Sequence, residues 1–246
     1  MFEFMKFIMD IVKFIFEVVI KYGFRLGKKS YYIKEENINI ECGNLVDDIV
    51  GVNTVINPTD IIHHYKIKEK DLICEYRYKG LIRKNGIAQC DFVFSSTNQV
   101  PYDEMECYAI DNRIQKRQRP RLIGTDGLVK KISIRFNEAL GVGDSFDVFL
   151  HINLEGCVGA NKDYIISRVS YAISNISKYE VEILFDKKAP ETMDVYVMNF
   201  GTFKREKIIY PSNENKLLFI DEINHNISVS LRVYVFNRDD GDLSRK

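Results

Sequence analysis

The sequence predicts a mainly β protein: an N-terminal amphipathic, membrane-competent helix, then a β-rich body that ends in an antiparallel β-sandwich. Three observations predict it. The first 22 residues are apolar except for charges spaced by three or four residues, the period that stacks side chains on one helix face. From Tyr65 the hydrophobic period becomes two, which is the strand signature. Beyond residue 124 short alternating runs recur at the spacing of a sandwich. The expected division is 1–29 for the helix and its basic flank, 30–124 for a β-rich module, and 125–246 for the sandwich domain.

The opening helix carries Glu3, Lys6, Asp10, Lys13, Glu17 and Lys21. At ~100° per residue these six charges fall within an arc of about 80°, and Phe7, Ile11 and Phe14 stand among the apolar side chains that fill the remaining ~280°. The sign order permits acid-to-base pairs along the helix: Glu3 with Lys6, Asp10 with Lys13, Glu17 with Lys21. A helix of 22 residues spans about 33 Å, close to a hydrocarbon core of ~30 Å. Six charges at roughly +2.5 to +3.5 kcal/mol each outweigh the apolar residues, so a lone copy inserts badly. Paired copies, or a water-filled hole with lipid outside, would satisfy both faces. Gly23 stops the helix, and Arg25, Lys28 and Lys29 form the basic flank expected at a cytoplasmic junction. The other settings for so wide an apolar face are the core of a large domain or a helical oligomer seam. No uncharged apolar stretch or small-residue cleavage site marks a secretory signal, and the acidic residues argue against a transit peptide.

Residues 31–57 read as irregular, with turns at Gly43-Asn44 and Asn57-Pro58. Thr59 could cap a short helix to His64. Lys66–Lys68 and Leu72–Tyr78 read as strands, with a break at Lys79-Gly80. Asn85-Gly86 tolerates the positive φ of a type I′ turn and predicts a hairpin from Leu81 to Phe94. Glu104–Ile110 is a weaker strand. Asp111–Gly127 reads as a crossing between β units. The later strands fall at Leu128–Phe136, Phe146–Leu154, Tyr164–Ile173, Tyr179–Phe185, Asp194–Phe200, Lys207–Tyr210, Lys216–Ile220 and Ile227–Phe236. The tail from Asn237 is polar.

Basic and acidic residues balance at 35 each, so bulk charge does not favour nucleic acid. The concentration of charge is local. Arg113, Lys116, Arg117, Arg119 and Arg121 place five cations in nine residues, a pattern that could grip the phosphates of a nucleotide, an oligonucleotide or an anionic lipid. In extended chain Arg117, Arg119 and Arg121 share one face, and Tyr102 and Tyr108 could stack bases. The same run would also serve as a solvated linker or pair with Asp103, Glu104, Glu106 and Asp111.

Five cysteines without a C-x-x-C pair read as thiols in a reducing compartment. The adjacent His63 and His64 diverge on a helix or a strand and do not chelate one metal. No H-E-x-x-H, P-loop, G-x-S-x-G or dinucleotide fingerprint occurs, and Gly141-Val142-Gly143-Asp144 reads as a turn. The expectation is therefore a protein that is not an enzyme and that needs no cofactor or metal.

The layout of Met1–Lys29 on a β-rich body with a basic segment resembles the membrane-disrupting effectors of bacterial antiphage defence, including pore-forming effectors of nucleotide-signalling systems and of the Hailong type. No motif carries the resemblance over residues 30–246. It implies a cytosolic sensor body that holds the helix back until a ligand arrives or leaves, with self-assembly at the bacterial inner membrane. The partners so expected are membrane lipid, further copies of the chain, and a nucleotide or oligonucleotide regulator. The alternative is a soluble oligomeric β-sandwich binding or scaffolding module whose first helix is buried in its core or in an oligomer seam.

Overall fold

A computed structural model of the chain describes residues 32–35, 38–41, 55–95, 100–126, 129–159, 162–170, 176–199, 202–223 and 229–237. The expected opening helix, with Glu3, Lys6, Phe7, Asp10, Ile11, Lys13, Phe14, Glu17, Lys21 and its flank Arg25, Lys28 and Lys29, lies outside the described residues. Among the described residues no helix is long and apolar enough to cross a membrane. By its contacts the chain divides into two compact units, Met1–Val52 with Asn199–Phe203, and Asn53–Met198 with Lys204–Lys246. In the first unit Tyr32–Glu35 (β1) and Ile38–Glu41 (β2) pair antiparallel, where irregular chain was expected.

The second unit, the body, is built from strands. They are β3 (Ile56–Lys68), β4 (Asp71–Ile82), β5 (Ile87–Ser95), β6 (Cys107–Asp111), β7 (Lys116–Gln118), β8 (Arg121–Asp126), β9 (Val129–Leu140), β10 (Ser145–Leu154), β11 (Lys162–Ser170), β12 (Lys178–Phe185), β13 (Met193–Asn199), β14 (Thr202–Ile209), β15 (Leu218–Glu222) and β16 (Val229–Asn237). Every later run that the period-two pattern marked as a strand overlaps one of these. A seven-stranded sheet has the order β15-β12-β3-β4-β10-β6-β7. A four-stranded sheet has the order β11-β16-β13-β14, and a three-stranded sheet β5-β9-β8. The large sheet combines strands from before and after residue 124, and its β3–β12 pair is parallel.

Both smaller sheets cover the same face of the large one. Tyr78 on β4 meets Phe92 on β5 at 5.1 Å between ring centroids, and Phe185 on β12 meets Phe236 on β16 at 5.3 Å. Ile61, Tyr65, Ile67, Val148, Leu150, Ile152, Val181 and Ile183 complete that inner face, all buried, and alternation sends their neighbours to the opposite face.

Three local expectations are corrected. Thr59–His64 is not a helix but lies inside β3. Hydrogen bonding to β4 on one edge and β12 on the other overrides the capping signal. The chain does not break at Lys79-Gly80, because β4 runs through it. The glycine instead admits the register shift between Pro58 and Asp60 on β3, since a Cβ at Gly80 would lie 2.1 Å from the Asn57 carbonyl oxygen and 2.6 Å from Pro58 Cα. Asn85-Gly86 does turn the chain, with Gly86 at φ 75°, but β4 and β5 enter different sheets and form no hairpin. Both edges of β4 are already taken by β3 and β10, so β5 pairs with β9.

Two polar groups are sealed into the core. His63 is buried between Ser167 (Nδ1 to Oγ, 2.7 Å) and Tyr78 (Nε2 to OH, 2.9 Å), and Ser167 contacts the Tyr179 hydroxyl at 2.9 Å. Asp221 is buried with Arg232 at 3.2 Å, accepts the Tyr234 hydroxyl at 2.8 Å, and pairs with Lys207. Burial pushes the Cys74 thiol up to about 12, so it stays protonated and packs as a small apolar group.

Gly80→Ala should destabilise the body by about 2 kcal/mol or more, the upper range of overpacking costs. Denaturant titration of variant and parent measures it, and equal midpoints would disprove the close approach. A second expectation concerns His63, whose burial lowers its pKa from 6.5 to about 3. Between those values the unfolded chain binds a proton that the folded chain refuses. Stability is therefore unaffected above pH 6.5 and falls as the pH drops toward 3, by ~1.4 kcal/mol per pH unit. His63→Gln, which keeps a donor and an acceptor, should remove that component of the slope in urea titrations at stepped pH.

Candidate functional site

The outer face of the seven-stranded sheet is lined by polar side chains in cross-strand register. In one row Glu182 (β12) stands opposite His64 (β3), His64 opposite Glu75 (β4), Glu75 opposite His151 (β10), and His151 opposite Tyr108 (β6). The row is joined side chain to side chain. His151 Nδ1 lies 3.1 Å from Glu75 Oε1, and His64 Nδ1 lies 3.6 Å from Glu75 Oε2 and 3.9 Å from Glu182 Oε2. Tyr108 stacks on His151 at 4.6 Å and 16°. The guanidinium of Arg117 on β7 caps the far side of Tyr108 at 3.6 Å from the ring centroid. One carboxylate thus sits between two imidazoles, and six strands contribute one side chain each.

A parallel row runs nearer the strand ends, from Lys178 to Asp60, Lys79 and Asp147. Asp147 receives Arg77 in two hydrogen bonds of 3.1 and 3.3 Å, Asn112 at 2.8 Å, and Lys79 at 3.6 Å. Burial raises the Asp147 carboxyl, but these donors outweigh it and hold the group below the usual carboxylate range. Asp60, Ile62, Arg77, Lys79 and Lys178 line a cavity of about 190 Å³ between the rows. Burial lifts the Glu182 carboxyl above its ordinary value, and a hydrogen bond with Glu180 adds to the rise. His64 Nε2 is buried with no hydrogen-bond partner. The arrangement can hold and pass protons and can pair with charged groups. Among the described residues no three His, Cys, Asp or Glu side chains are grouped to hold a metal ion.

The five cations singled out in the sequence are distributed over this end of the molecule. Arg113 pairs with buried Asp111 (2.6 Å), donates to the Ser145 carbonyl and lies over Phe136. Lys116 donates to Asn137 Oδ1 at 3.0 Å. Arg119 donates to the carbonyls of Tyr102, Asp103 and Met105 and lies 5.1 Å from the centre of the Tyr102 ring, clasping the 3₁₀ turn Tyr102–Glu104. Arg121 is exposed at the start of β8. Of the expected acidic partners Asp111 pairs with the run, and Tyr102 and Tyr108 stack against its arginines. The run passes from the edge of the large sheet to the edge of the three-stranded sheet, as a crossing between β units.

His64, Glu75, His151 and Glu182 were not singled out as a group in the sequence. Alternation alone puts Glu75, Arg77 and Lys79 on one face of β4, and Asp147 and His151 on one face of β10. Their meeting depends on strand order, which alternation does not encode. His63 and His64 diverge as expected, one into the core and one onto the outer face.

No family model matches the chain, and no curated protein matches it. Among solved structures it is similar to an M1 zinc metallopeptidase from Deinococcus radiodurans, at 10% identity and a TM-score of 0.42, over 73% of this chain and 42% of that one. A mutant of that enzyme bound to a Tyr-Ser-Ala substrate matches with the same values, and a two-domain mutant bound to L-tryptophan has a TM-score of 0.41. The chain spans less than half the length of these peptidase structures.

Proposed function

We propose that this chain is a self-assembling membrane-permeabilising effector of the kind found in bacterial antiphage defence. Its opening segment enters the inner membrane as an oligomer, and its cytosolic β-rich body holds that segment inactive. One observation carries the reading. The chain opens with a helix-period charge ladder on a wide apolar face that lipid and oligomerisation satisfy together. This reading assigns no catalytic step.

A regulator with clustered phosphates, a nucleotide or oligonucleotide, would act at the basic run. Arg117 and Arg121 are exposed, and exposed guanidinium groups pair with phosphates. The second reading, a soluble oligomeric β-sandwich binding module with the first helix in its core or a seam, is favoured by the polar outer face of the large sheet.

Expressed in bacteria, the chain should depolarise the inner membrane, followed with a potential-sensitive dye. Replacing Phe7, Ile11 and Phe14 together by Asp should abolish the depolarisation while the β circular dichroism and melting of the body persist. Permeabilisation equal to that of the parent would overturn the reading, and collapse of the body in the same variant would favour the second one. For the regulator, single-stranded oligonucleotides and cyclic dinucleotides should bind the intact chain with an affinity that weakens steeply between about 50 and 200 mM salt. Changing Arg117, Arg119 and Arg121 to Glu should remove that binding. Equal binding by both proteins, or none by the intact one, returns the run to a structural crossing.

A further inference from the structure

Three loops gather at one end of the seven-stranded sheet: 83–86 after β4, 112–115 between β6 and β7, and 141–144 between β9 and β10. They are tied together by backbone. Ile82 N–H donates to the Asp144 carbonyl and Gly143 N–H to the Ile82 carbonyl, both at 2.9 Å, and Asn112 N–H donates to the Asp147 carbonyl at 2.9 Å. Side chains lock the tips further, one of them between two loops. Val142 N–H donates to Asn85 Oδ1 at 2.8 Å, Gly141 N–H to Asp144 Oδ2 at 2.7 Å, and the Gln115 amide to the Asn112 carbonyl at 2.8 Å. Gly143 takes φ 89° and Gln115 φ 52° to close these turns.

These fixed turns hold apolar side chains out into water. Val142 is 62% exposed, Ile114 48%, and Leu81, at the end of β4, 44%. Turn positions ordinarily carry Gly, Pro, Asn, Asp or Ser, so a valine and an isoleucine at two adjoining tips need a reason. Four cations, Arg83, Lys84, Arg113 and Lys116, and three carboxylates, Asp111, Asp144 and Glu138, lie around them. Arg83 and Lys84 lie in the first loop and Lys116 just after the second, where it meets the neutral amide of Asn137. Arg113 is neutralised by Asp111. Asp144 accepts the Gly141 N–H and keeps its charge, and the exposed Glu138 lies two residues inside the end of β9.

We infer that this end of the body is a docking surface for an anionic lipid bilayer, with Val142, Ile114 and Leu81 entering the headgroup boundary and Arg83, Lys84 and Lys116 meeting the lipid phosphates. Rigid apolar tips insert without first being ordered, and cations beside them are drawn to the negative leaflet. A second copy fits less well, because two such ends would bring like charges together. Nucleic acid would leave the apolar tips unused. The inference stands apart from the opening helix: it gives the body a membrane contact of its own.

The test uses the full chain carrying Phe7→Asp, Ile11→Asp and Phe14→Asp, so that the helix makes no contribution, and flotation with vesicles. It should float with phosphatidylcholine–phosphatidylglycerol vesicles and not with phosphatidylcholine alone. Adding Ile114→Ser and Val142→Asp should lower the bound fraction about tenfold or more. Lys84→Glu with Lys116→Glu should lower it similarly, while added salt weakens what remains. Failure of the helix-disrupted chain to float overturns the inference, as does equal flotation of either loop variant with its melting temperature unchanged. A change of oligomeric state without a change in flotation overturns it in favour of a second copy. Failure of the helix reading registers separately, as undiminished permeabilisation by the helix-disrupted chain.

Discussion

Strand β3 is hydrogen-bonded on both edges, to β4 antiparallel and to β12 in parallel, and its period-two alternation supplies both faces of the large sheet. Ile61, His63, Tyr65 and Ile67 turn inward to the smaller sheets, while Asp60, Ile62 and His64 turn outward. A slip of one residue would exchange these sets, burying Asp60 and His64 and exposing four large core side chains. The shift between Pro58 and Asp60 sets this register, and it exists because Gly80 leaves room for the Asn57 carbonyl. The cross-strand rows, the cavity and the buried histidine therefore all follow from one close approach of two backbones.

Inside, the two polar groups differ in kind. His63 is kept neutral by burial and satisfied by two hydroxyls, so it joins the sheets at little electrostatic cost while it stays unprotonated. Asp221 and Arg232 are buried as charges and are matched by Lys207, Glu206 and Tyr234. Such a cluster adds little net stability over apolar packing, but losing one partner strands a buried charge. It gives the contact of β14 and β16 with β15 a single geometry.

The basic run shows how a linear charge pattern is spent by a fold. As sequence it is a uniform block of five cations. In three dimensions Arg113 closes on Asp111, Arg119 clasps three carbonyls of a 3₁₀ turn, and Arg117 lies on Tyr108. Part of the positive charge is thus structural, and the remainder is carried by Lys116, Arg117 and Arg121 on the surface.

Much of the secondary structure was legible because alternation is local: β9 to β16 each overlap a run marked by period two, and the turn at Gly141–Asp144 is where its glycines put it. The opening helix is likewise read from a local pattern, three- and four-residue spacing that needs no partner, and it lies outside the described residues. The misreadings share a cause. Thr59–His64 looked helical and Asn85-Gly86 looked like a hairpin because each carries a strong local signal, whereas β3 and β5 take partners from β12 and β9, distant in sequence, the nearest such pair being Ser95 with Val129. His64, Glu75, His151 and Glu182 meet for the same reason. The sequence by itself determined which residues of each strand share a face, because side-chain alternation is a property of a single strand. Only the tertiary structure decided which faces are joined and in what register, because hydrogen bonds between distant strands set the order of the sheet.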